Sequence, residues 1–165
     1  MGRSSNDELY EILDGWCRIA RDTRGSTLCL EDLIRTITCE SVIRTGKNDT
    51  DEAYQVFKDL LETTNIDGER IVSLKPFTEL LYHAQQKMLC FAVSQNANFL
   101  FVPQEAGQND LVCVLYGCSI PVVLRPRSGG FYSFVGQCYA LGFMRGEAIE
   151  GLRNGKYKSE EFELQ

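Results

Sequence analysis

The sequence has 165 residues, 44% of them hydrophobic and 24% charged, which is typical of one folded domain large enough to bury its own core. The formal net charge of −6 and the pI of about 4.9 argue against nucleic-acid and anionic-membrane partners, because both attract positively charged surfaces. The first residues lack the apolar segment of a secretory signal, and no apolar run approaches the roughly 20 residues of a membrane-spanning helix, so we expect a cytoplasmic protein.

Residues 5–88, the first half of the chain, are predicted to be helical. Ser5 and Glu8 have the spacing of a capping box, and four apolar stripes with helical periodicity follow. The fourth helix is predicted to begin near Pro76, because proline suits the first turn of a helix. The stripes consist of Leu9, Ile12, Leu13, Trp16, Ile19 and Ala20; Leu30, Leu33, Ile34 and Ile37; Ala53, Tyr54, Phe57, Leu60 and Leu61; and Phe77, Leu80, Leu81, Ala84 and Met88.

Residues 89–148 have the composition of β-strands, and residues 149–165 form a charged tail after one helical turn that starts at Glu147. Five segments rich in β-branched and aromatic residues are separated by short turn signals. The segments are LCFAVS, NFLFVP, DLVCVLYG, IPVVLRP and GFYSFVGQCYALGF. Short links favour an antiparallel β-meander or a small β-barrel, on which the helices pack. We therefore predict a single α+β domain spanning residues 1–165.

The last β segment runs into the sequence GQCYALGFMRGEA, residues 136–148, in which glycines interrupt an apolar strand. Such glycines can build a catalytic loop, approach a ligand, or let a strand bend sharply. Their spacing does not match that of a dinucleotide-binding loop. We favour the structural interpretation, in which the strand bends at Gly136 and Gly142.

Metal and cofactor sites are not predicted for this chain. The seven cysteines are irregularly spaced without a C-x-x-C pair, and His83 is the single histidine, so the usual ligands of a zinc site are lacking. We interpret the cysteines as buried, reduced thiols that act as small hydrophobic residues. His83 lies beside the apolar stripe of the fourth predicted helix, where a partly buried structural histidine is the favoured interpretation.

A few polar groups in the apolar β half are candidates for a ligand site. We predict Arg125, Tyr132 and Tyr139 as catalytic residues, because a charged guanidinium or a phenol can hold a ligand oxygen at the mouth of a pocket. The alternative for Arg125 is a strand-end arginine that lies in water or pairs with Asp110 or Glu147. The predicted substrate-binding residues are Tyr116, Gln137, Cys138, Phe143, Met144, His83 and Trp16.

The segment NDLVCVLYGCSIPVVLRPRSGGFYSFVGQCYALGFMRGEA, residues 109–148, resembles the C-terminal region of fungal heterokaryon-incompatibility (HET) proteins. In that family a Gly-Asp-x-Val strand leads to a Leu-x-Gly turn, a Pro-x-Val-Leu-Arg strand, a strand ending in Val-Gly-x-x-Tyr, and then Gly-x-Met-x-Gly-Glu-Ala. The upstream segment LIRTITCE resembles the Arg-Thr-Leu helix of the family, so the resemblance extends over about residues 28–148. Asn109 departs from the pattern, because it replaces the glycine of Gly-Asp.

The resemblance implies a fungal source, a cytosolic setting, and motif glycines that turn the corners of a sheet. The family assigns no catalytic residues to this region. The signalling domain that precedes it in HET proteins is not found in this sequence, so the resemblance does not carry over a role in cell-death signalling.

Two functions from different classes remain open. The first is a small-molecule-binding protein of fungal secondary metabolism, a cofactor-free cyclase of the Diels–Alderase (pericyclase) type acting on a terpenoid or polyketide. An apolar cavity between the helices and the β half would orient the two reacting ends, and one hydrogen bond would lower the barrier further. The second is a non-enzymatic interaction or regulatory module of a HET-type protein. We expect no cofactor, no nucleic-acid partner and no membrane partner, and a homodimer is left open.

Overall fold

The computed structural model of the chain describes residues 5–24, 28–37 and 89–165, with the side chains of residues 5–10 and 30 excepted. The third and fourth predicted helices, together with His83, lie outside the described residues. None of the helices in the described ranges combines the length and the apolar character needed to cross a bilayer.

The described elements confirm the predicted α+β class. Two helices come first, six strands follow, and a third helix and a short seventh strand lie near the C-terminus. The elements are α1 (Ser5–Arg24), α2 (Leu30–Ile37), β1 (Leu89–Val93), β2 (Phe99–Pro103), β3 (Leu111–Cys113), β4 (Val122–Pro126), β5 (Phe131–Gln137), β6 (Tyr139–Ala140), α3 (Glu147–Arg153) and β7 (Glu163–Leu164). The helix at Glu147 is therefore longer than the single predicted turn, and the charged tail contains a strand.

The described strands form two sheets and do not close into a barrel. One sheet has the order β1-β2-β6, and the other has the order β3-β4-β5-β7. Strands β3, β4 and β5 form the predicted antiparallel meander. Two pairings go beyond the sequence prediction, because β6 pairs antiparallel with β2 and β7 runs parallel to β5. The long last β segment is thus shared between the two sheets.

The described residues divide into two compact units. The first contains α1, α2 and the turn of the β1–β2 hairpin, Val93–Phe99. The second contains Met88–Ala92 and Leu100–Gln165, and so includes nearly all of both sheets and α3.

The two described helices of the first unit, α1 and α2, each bury one face. On α1 the fully buried side chains are Leu13, Cys17 and Ala20, which are four and three residues apart. Cys17 was not part of the predicted stripe, whereas Ile19, which was, is 43% exposed. The buried face of α1 is therefore rotated from the predicted one. The stripe of α2 is confirmed for the members whose side chains are described, namely Leu33, Ile34 and Ile37.

Arg24, at the end of α1, ties together the parts of the first unit. Its Nε donates a hydrogen bond to the carbonyl oxygen of Ala97 at 2.7 Å, and its Nη1 donates to a carboxylate oxygen of Asp32 at 3.2 Å. The guanidinium carbon lies 4.1 Å from the ring centroid of Phe99, which is a cation–π distance. One side chain therefore connects α1 with α2 and with the hairpin turn.

The core of the second unit joins its two sheets. Leu100 and Val102 come from β2, Ala140 comes from β6, and Val123 comes from β4 in the other sheet. Cys138 completes the cluster at the point where the chain leaves β5 for β6, and it is 4% exposed. Because one cluster contains residues of both sheets, the two sheets share a single core.

Gly136 on β5 lies directly against Pro103 on β2, in the other sheet. A Cβ atom at this position would lie 2.6 Å from Cγ of Pro103, a distance that real side chains do not reach. In the β4–β5 register, Val123 pairs with Gly136 and Leu124 pairs with Phe134, so Val135 is the extra residue of a β-bulge. The irregularity of the strand therefore lies beside Gly136, and the sharp bend predicted at Gly136 itself stays a prediction.

We predict that Gly136→Ala lowers the free energy of unfolding by about 1–3 kcal/mol, because the added methyl group forces the rigid Pro103 ring to shift. The matched control is Gly107→Ala in the same unit, whose Cβ would lie 3.7 Å from the nearest atom, in ordinary contact. We expect the control to change stability by less than about 0.5 kcal/mol. Urea unfolding measures both, and equal losses for the two variants would contradict the prediction.

Candidate functional site

A small pocket opens between the segment that follows β3 and helix α3. Its volume is about 160 Å³. The lining residues are Val114, Leu115, Tyr116, Gly117, Cys118, Ser119, Ile120, Phe143, Gly146, Ala148 and Ile149. Two of the predicted substrate-binding residues, Tyr116 and Phe143, are thereby brought together from distant positions in the sequence.

The first wall of the pocket is a tight turn. The backbone N–H of Cys118 donates to the carbonyl oxygen of Leu115 at 3.1 Å, and Gly117 has a φ of +82°. A positive φ at the third residue is the geometry of a type II turn, which glycine adopts without strain. At the second turn position, Tyr116 leaves 73% of its surface exposed.

The second wall consists of Phe143 and the first turn of α3. Gly142 and Gly146 both have positive φ, and they turn the chain from β6 into the helix. Phe143 packs against the core of the second unit, and its ring centroid lies 5.7 Å from that of Tyr157. Tyr157 in turn lies directly over Gly151, where a Cβ atom would have no room. Phe143 and α3 are therefore held in place by packing on both sides.

Most side chains of this lining are apolar, whereas backbone and hydroxyl groups supply much of its polar surface. Among the described residues that form it, Tyr116 and Cys118 are the only ionisable ones. Within the described part of the chain, no three His, Cys, Asp or Glu side chains gather in a way that could hold a metal ion. The pocket is therefore suited to hold an apolar group by contact.

Arg125 forms a bidentate ion pair with Asp110. Its Nε and Nη2 donate to the two carboxylate oxygens at 2.9 and 2.8 Å, and Nη2 also donates to the carbonyl oxygen of Glu105 at 2.6 Å. Asp110 accepts a further hydrogen bond from the backbone N–H of Gly107 at 2.8 Å, and its side chain is 5% exposed. The pair fixes the loop between β2 and β3 to β4. Of the alternatives for Arg125, pairing with Asp110 is confirmed.

The three predicted catalytic residues do not share one face. Arg125 is the cross-strand partner of Ser133, and Tyr132 is the partner of Pro126. Because neighbours along a strand point to opposite faces, Arg125 and Tyr132 project from opposite sides of the four-stranded sheet. Tyr139 lies on β6, in the other sheet, and is 7% exposed. A catalytic role for these residues stays a prediction.

The other predicted substrate-binding residues are not among the described lining residues. Gln137 is exposed at the end of β5, and Cys138 is buried in the core. Met144 is half-buried in the turn before α3, and Trp16 is half-buried on α1. His83 lies outside the described residues.

The interpretation of the cysteines as buried thiols holds for part of the set. Cys17 and Cys138 are buried, and burial raises the pKa of each thiol to about 12, so both remain protonated at neutral pH. Cys118 is exposed and lines the pocket. The remaining described cysteines are Cys113, which is half-buried, and Cys29 and Cys90, which are exposed.

Sequence reasoning missed the aliphatic part of the lining, which includes Ile120, Ala148 and Ile149. The signal is present in the sequence, because Ala148, Ile149 and Leu152 have the spacing of one helix face. This pattern predicts a helix longer than one turn, with an apolar side that needs a covering surface. The pattern is hard to recognise because the charged residues Glu147, Glu150 and Arg153 lie between and beside the apolar ones.

The pair between Asp110 and Arg125 predicts a pH-dependent contribution to stability. Hydrogen bonds from Arg125 lower the pKa of the Asp110 carboxyl below its ordinary value of 3.8. Stabilisation by the pair is therefore complete above that value and is lost as the pH falls through the lower folded-state pKa. We expect Asp110→Asn to reduce the free energy of unfolding at neutral pH, and the difference from the wild type to shrink below about pH 4.

Denaturant unfolding at several pH values checks this prediction. Glu105→Gln is the matched control, because Arg125 binds the backbone oxygen of Glu105 and not its side chain. The control is expected to follow the wild type at neutral pH. A loss for Asp110→Asn that is the same at neutral and acidic pH would contradict the prediction.

Comparison with known protein families assigns most of the chain to one family. The family model of the Het-6 beta-barrel domain matches residues 35–158, which is most of the chain. The match begins within α2 and includes every described strand except β7. No curated protein and no solved structure matches the chain. The chain therefore belongs to the Het-6 beta-barrel domain family, which confirms the resemblance to fungal HET proteins.

Proposed function

We propose that the chain is a non-enzymatic interaction module of a HET-type protein, whose pocket receives one apolar side chain of a partner protein. The observation that carries this proposal is the size of the pocket. Its volume of about 160 Å³ is close to that of an apolar cavity of about 150 Å³ that accepts benzene. One phenylalanine or leucine side chain fits this space, whereas sites for larger ligands typically have about 300–1,000 Å³.

The surface beside the pocket supports a protein partner. Tyr116 is 73% exposed and Val114 is 36% exposed, so apolar surface continues outward from the lining. Tyrosine is among the residues that contribute most to the binding energy of protein interfaces, commonly around a pocket filled by the partner. A side chain bound in the pocket would place the flanking residues of the partner against this exposed surface.

The walls of the pocket also favour binding without large rearrangement. The hydrogen bond between Cys118 and Leu115 closes the turn on one side, and Phe143 is packed against the core on the other. A site whose walls are formed before binding loses less conformational entropy when the ligand enters. Little of the free energy that the partner's apolar side chain gains by burial is therefore lost to ordering the pocket walls.

The cofactor-free cyclase is a second candidate, and one observation favours it. Tyr116 and Phe143, both predicted to bind substrate, line the same pocket. A terpenoid or polyketide chain exceeds the present volume, so cyclisation requires the turn at Gly117 to move outward. Orientation of the reacting ends would then supply the rate enhancement.

The interaction proposal is tested with N-acetyl-phenylalaninamide as the probe, followed by NMR. We expect chemical-shift changes at Ile120, Phe143 and Ile149. Ala148→Leu fills the pocket and should weaken binding at least about tenfold. Glu150→Leu is the matched control, because it adds the same side chain at an exposed position of the same helix, outside the lining.

The probe N-acetyl-glutaminamide gives a further control, because its polar side chain loses hydrogen bonds to water in an apolar pocket. Shifts of equal size with both probes would contradict the proposal. So would binding of the phenylalanine probe that Ala148→Leu leaves unchanged.

The cyclase candidate has its own test. The purified protein is incubated with linear terpenoid and polyketide polyenes that carry a diene and a dienophile, and the cyclised product is followed. If the candidate function holds, the wild type forms product faster than buffer alone and Ala148→Leu loses most of that acceleration. No acceleration over buffer would contradict it.

A further inference from the structure

We propose that the C-terminal strap, defined as residues 159–165, is a displaceable internal ligand of a strand-addition site on β5. The partner that this site fits is an extended acidic peptide with apolar side chains at alternate positions. The site differs from the pocket described above, and the proposal does not rest on it.

The backbone of the strap already occupies the outer edge of β5. Strand β7 runs parallel to β5, with Glu163 beside Phe131 and Leu164 beside Tyr132. The backbone N–H of Gln165 donates to the carbonyl oxygen of Tyr132 at 2.9 Å. These are the contacts by which an added peptide strand binds a sheet edge.

A side chain of the strap also packs on the sheet. The rings of Phe162 and Tyr132 meet edge to face, with centroids 4.8 Å apart. Glu160 lies close enough to Cys113 on β3 that its charge adds to the effect of burial in raising the pKa of that thiol. The strap thus extends from the neighbourhood of β3 to the edge of β5.

The face beneath the strap is apolar. Cys113 pairs with Val122, and Tyr132 pairs with Pro126. Because alternate residues of β4 share a face, these residues and Leu124 all lie on one side of the sheet. Val122 and Leu124 are 4% and 0% exposed, so this part of the face is covered, whereas Pro126 at the end of β4 is exposed.

Only a short part of the strap holds it to the sheet. Strand β7 has two residues, and Leu164 is still 48% exposed. Segments with few buried contacts open at a much lower free energy than the core. The family match ends at residue 158, so the strap lies outside the matched region. These observations indicate that the strap can open without disrupting the core of the second unit.

The same face offers apolar surface that the strap leaves uncovered. Leu111 and Phe134 are the cross-strand partners of Leu124 on its two sides, and they are 39% and 55% exposed. A partner peptide that pairs with more of β5 than the two residues of β7 can cover these side chains as well. It therefore gains contacts that the strap lacks, and this difference allows it to displace the strap.

The sequence of the strap defines the chemistry of the partner. In SEEFELQ the apolar Phe162 and Leu164 alternate with the acidic Glu161 and Glu163. Side chains two residues apart point to the same side of an extended peptide. A partner with the same alternation presents its apolar residues to Tyr132 and the sheet, and its carboxylates to water.

The test uses the full-length protein and a fluorescent synthetic peptide with the sequence SEEFELQ. Phe162→Ala weakens the strap in its own chain without changing β5, whereas Glu161→Ala changes an exposed neighbour and is the matched control. A tethered competitor acts at an effective concentration on the order of millimolar. We therefore expect Phe162→Ala to bind the peptide at least about tenfold more tightly than the wild type, and Glu161→Ala to behave like the wild type.

Fluorescence anisotropy measures the affinity, and circular dichroism checks that each variant is folded. If Phe162→Ala does not fold, Gln165→Pro replaces it, because proline lacks the N–H that binds Tyr132. A peptide with alanine in place of its phenylalanine should bind at least about tenfold more weakly. Equal peptide affinity in the wild type and in the folded strap variant would overturn the proposal. Light scattering tests whether the wild type forms a dimer at high concentration. A dimer that the free peptide dissociates would show that copies exchange their straps, and this would overturn the assignment to a partner peptide.

Discussion

The two sheets of the second unit approach each other closely at residues 136–140, where the chain passes from one sheet to the other. The packing of the second unit depends on this close approach. The chain leaves β5 after Gln137, passes through the buried Cys138, and joins β2 through Tyr139 and Ala140. The N–H of Cys138 is satisfied by the carbonyl oxygen of Pro121 at 3.0 Å, so the crossing leaves this buried donor paired. Two sheets linked by a single residue must lie close together, and only a residue without a side chain fits at Gly136.

This crossing also fixes the position of the pocket. After β6 the chain turns at Gly142, places Phe143 against the shared core, and enters α3 at Gly146. Phe143 is therefore both an outer member of the core and a wall of the pocket. A substitution that loosens the core at Cys138 would also shift Phe143 in the pocket wall, because packed side chains transmit displacement.

Two of the residues predicted as catalytic, Arg125 and Tyr132, make structural contacts in the described structure. Arg125 is held by Asp110 and by the carbonyl oxygen of Glu105, so its donors stabilise a loop. Tyr132 packs against Phe162 on the opposite face. The second unit also has two apolar features, a pocket of about 160 Å³ beside α3 and a sheet face on which Phe162 of the strap packs against Tyr132.

The sequence by itself determined the α+β class, the family, the stripe of α2 and the positions of β1, β2 and β4, because periodicity and composition are local properties of the chain. It also singled out Tyr116 and Phe143, which line the pocket. Only the tertiary structure decided that β6 joins β2 and that β7 pairs with β5. It also decided that Arg125 binds Asp110, which the sequence had left open beside Glu147 and water. Each of these choices depends on which distant segments meet, and a local pattern does not encode the partner of a strand edge or of a charge. The faces of Arg125 and Tyr132 likewise follow from the β4–β5 register, which the bulge at Val135 shifts by one residue.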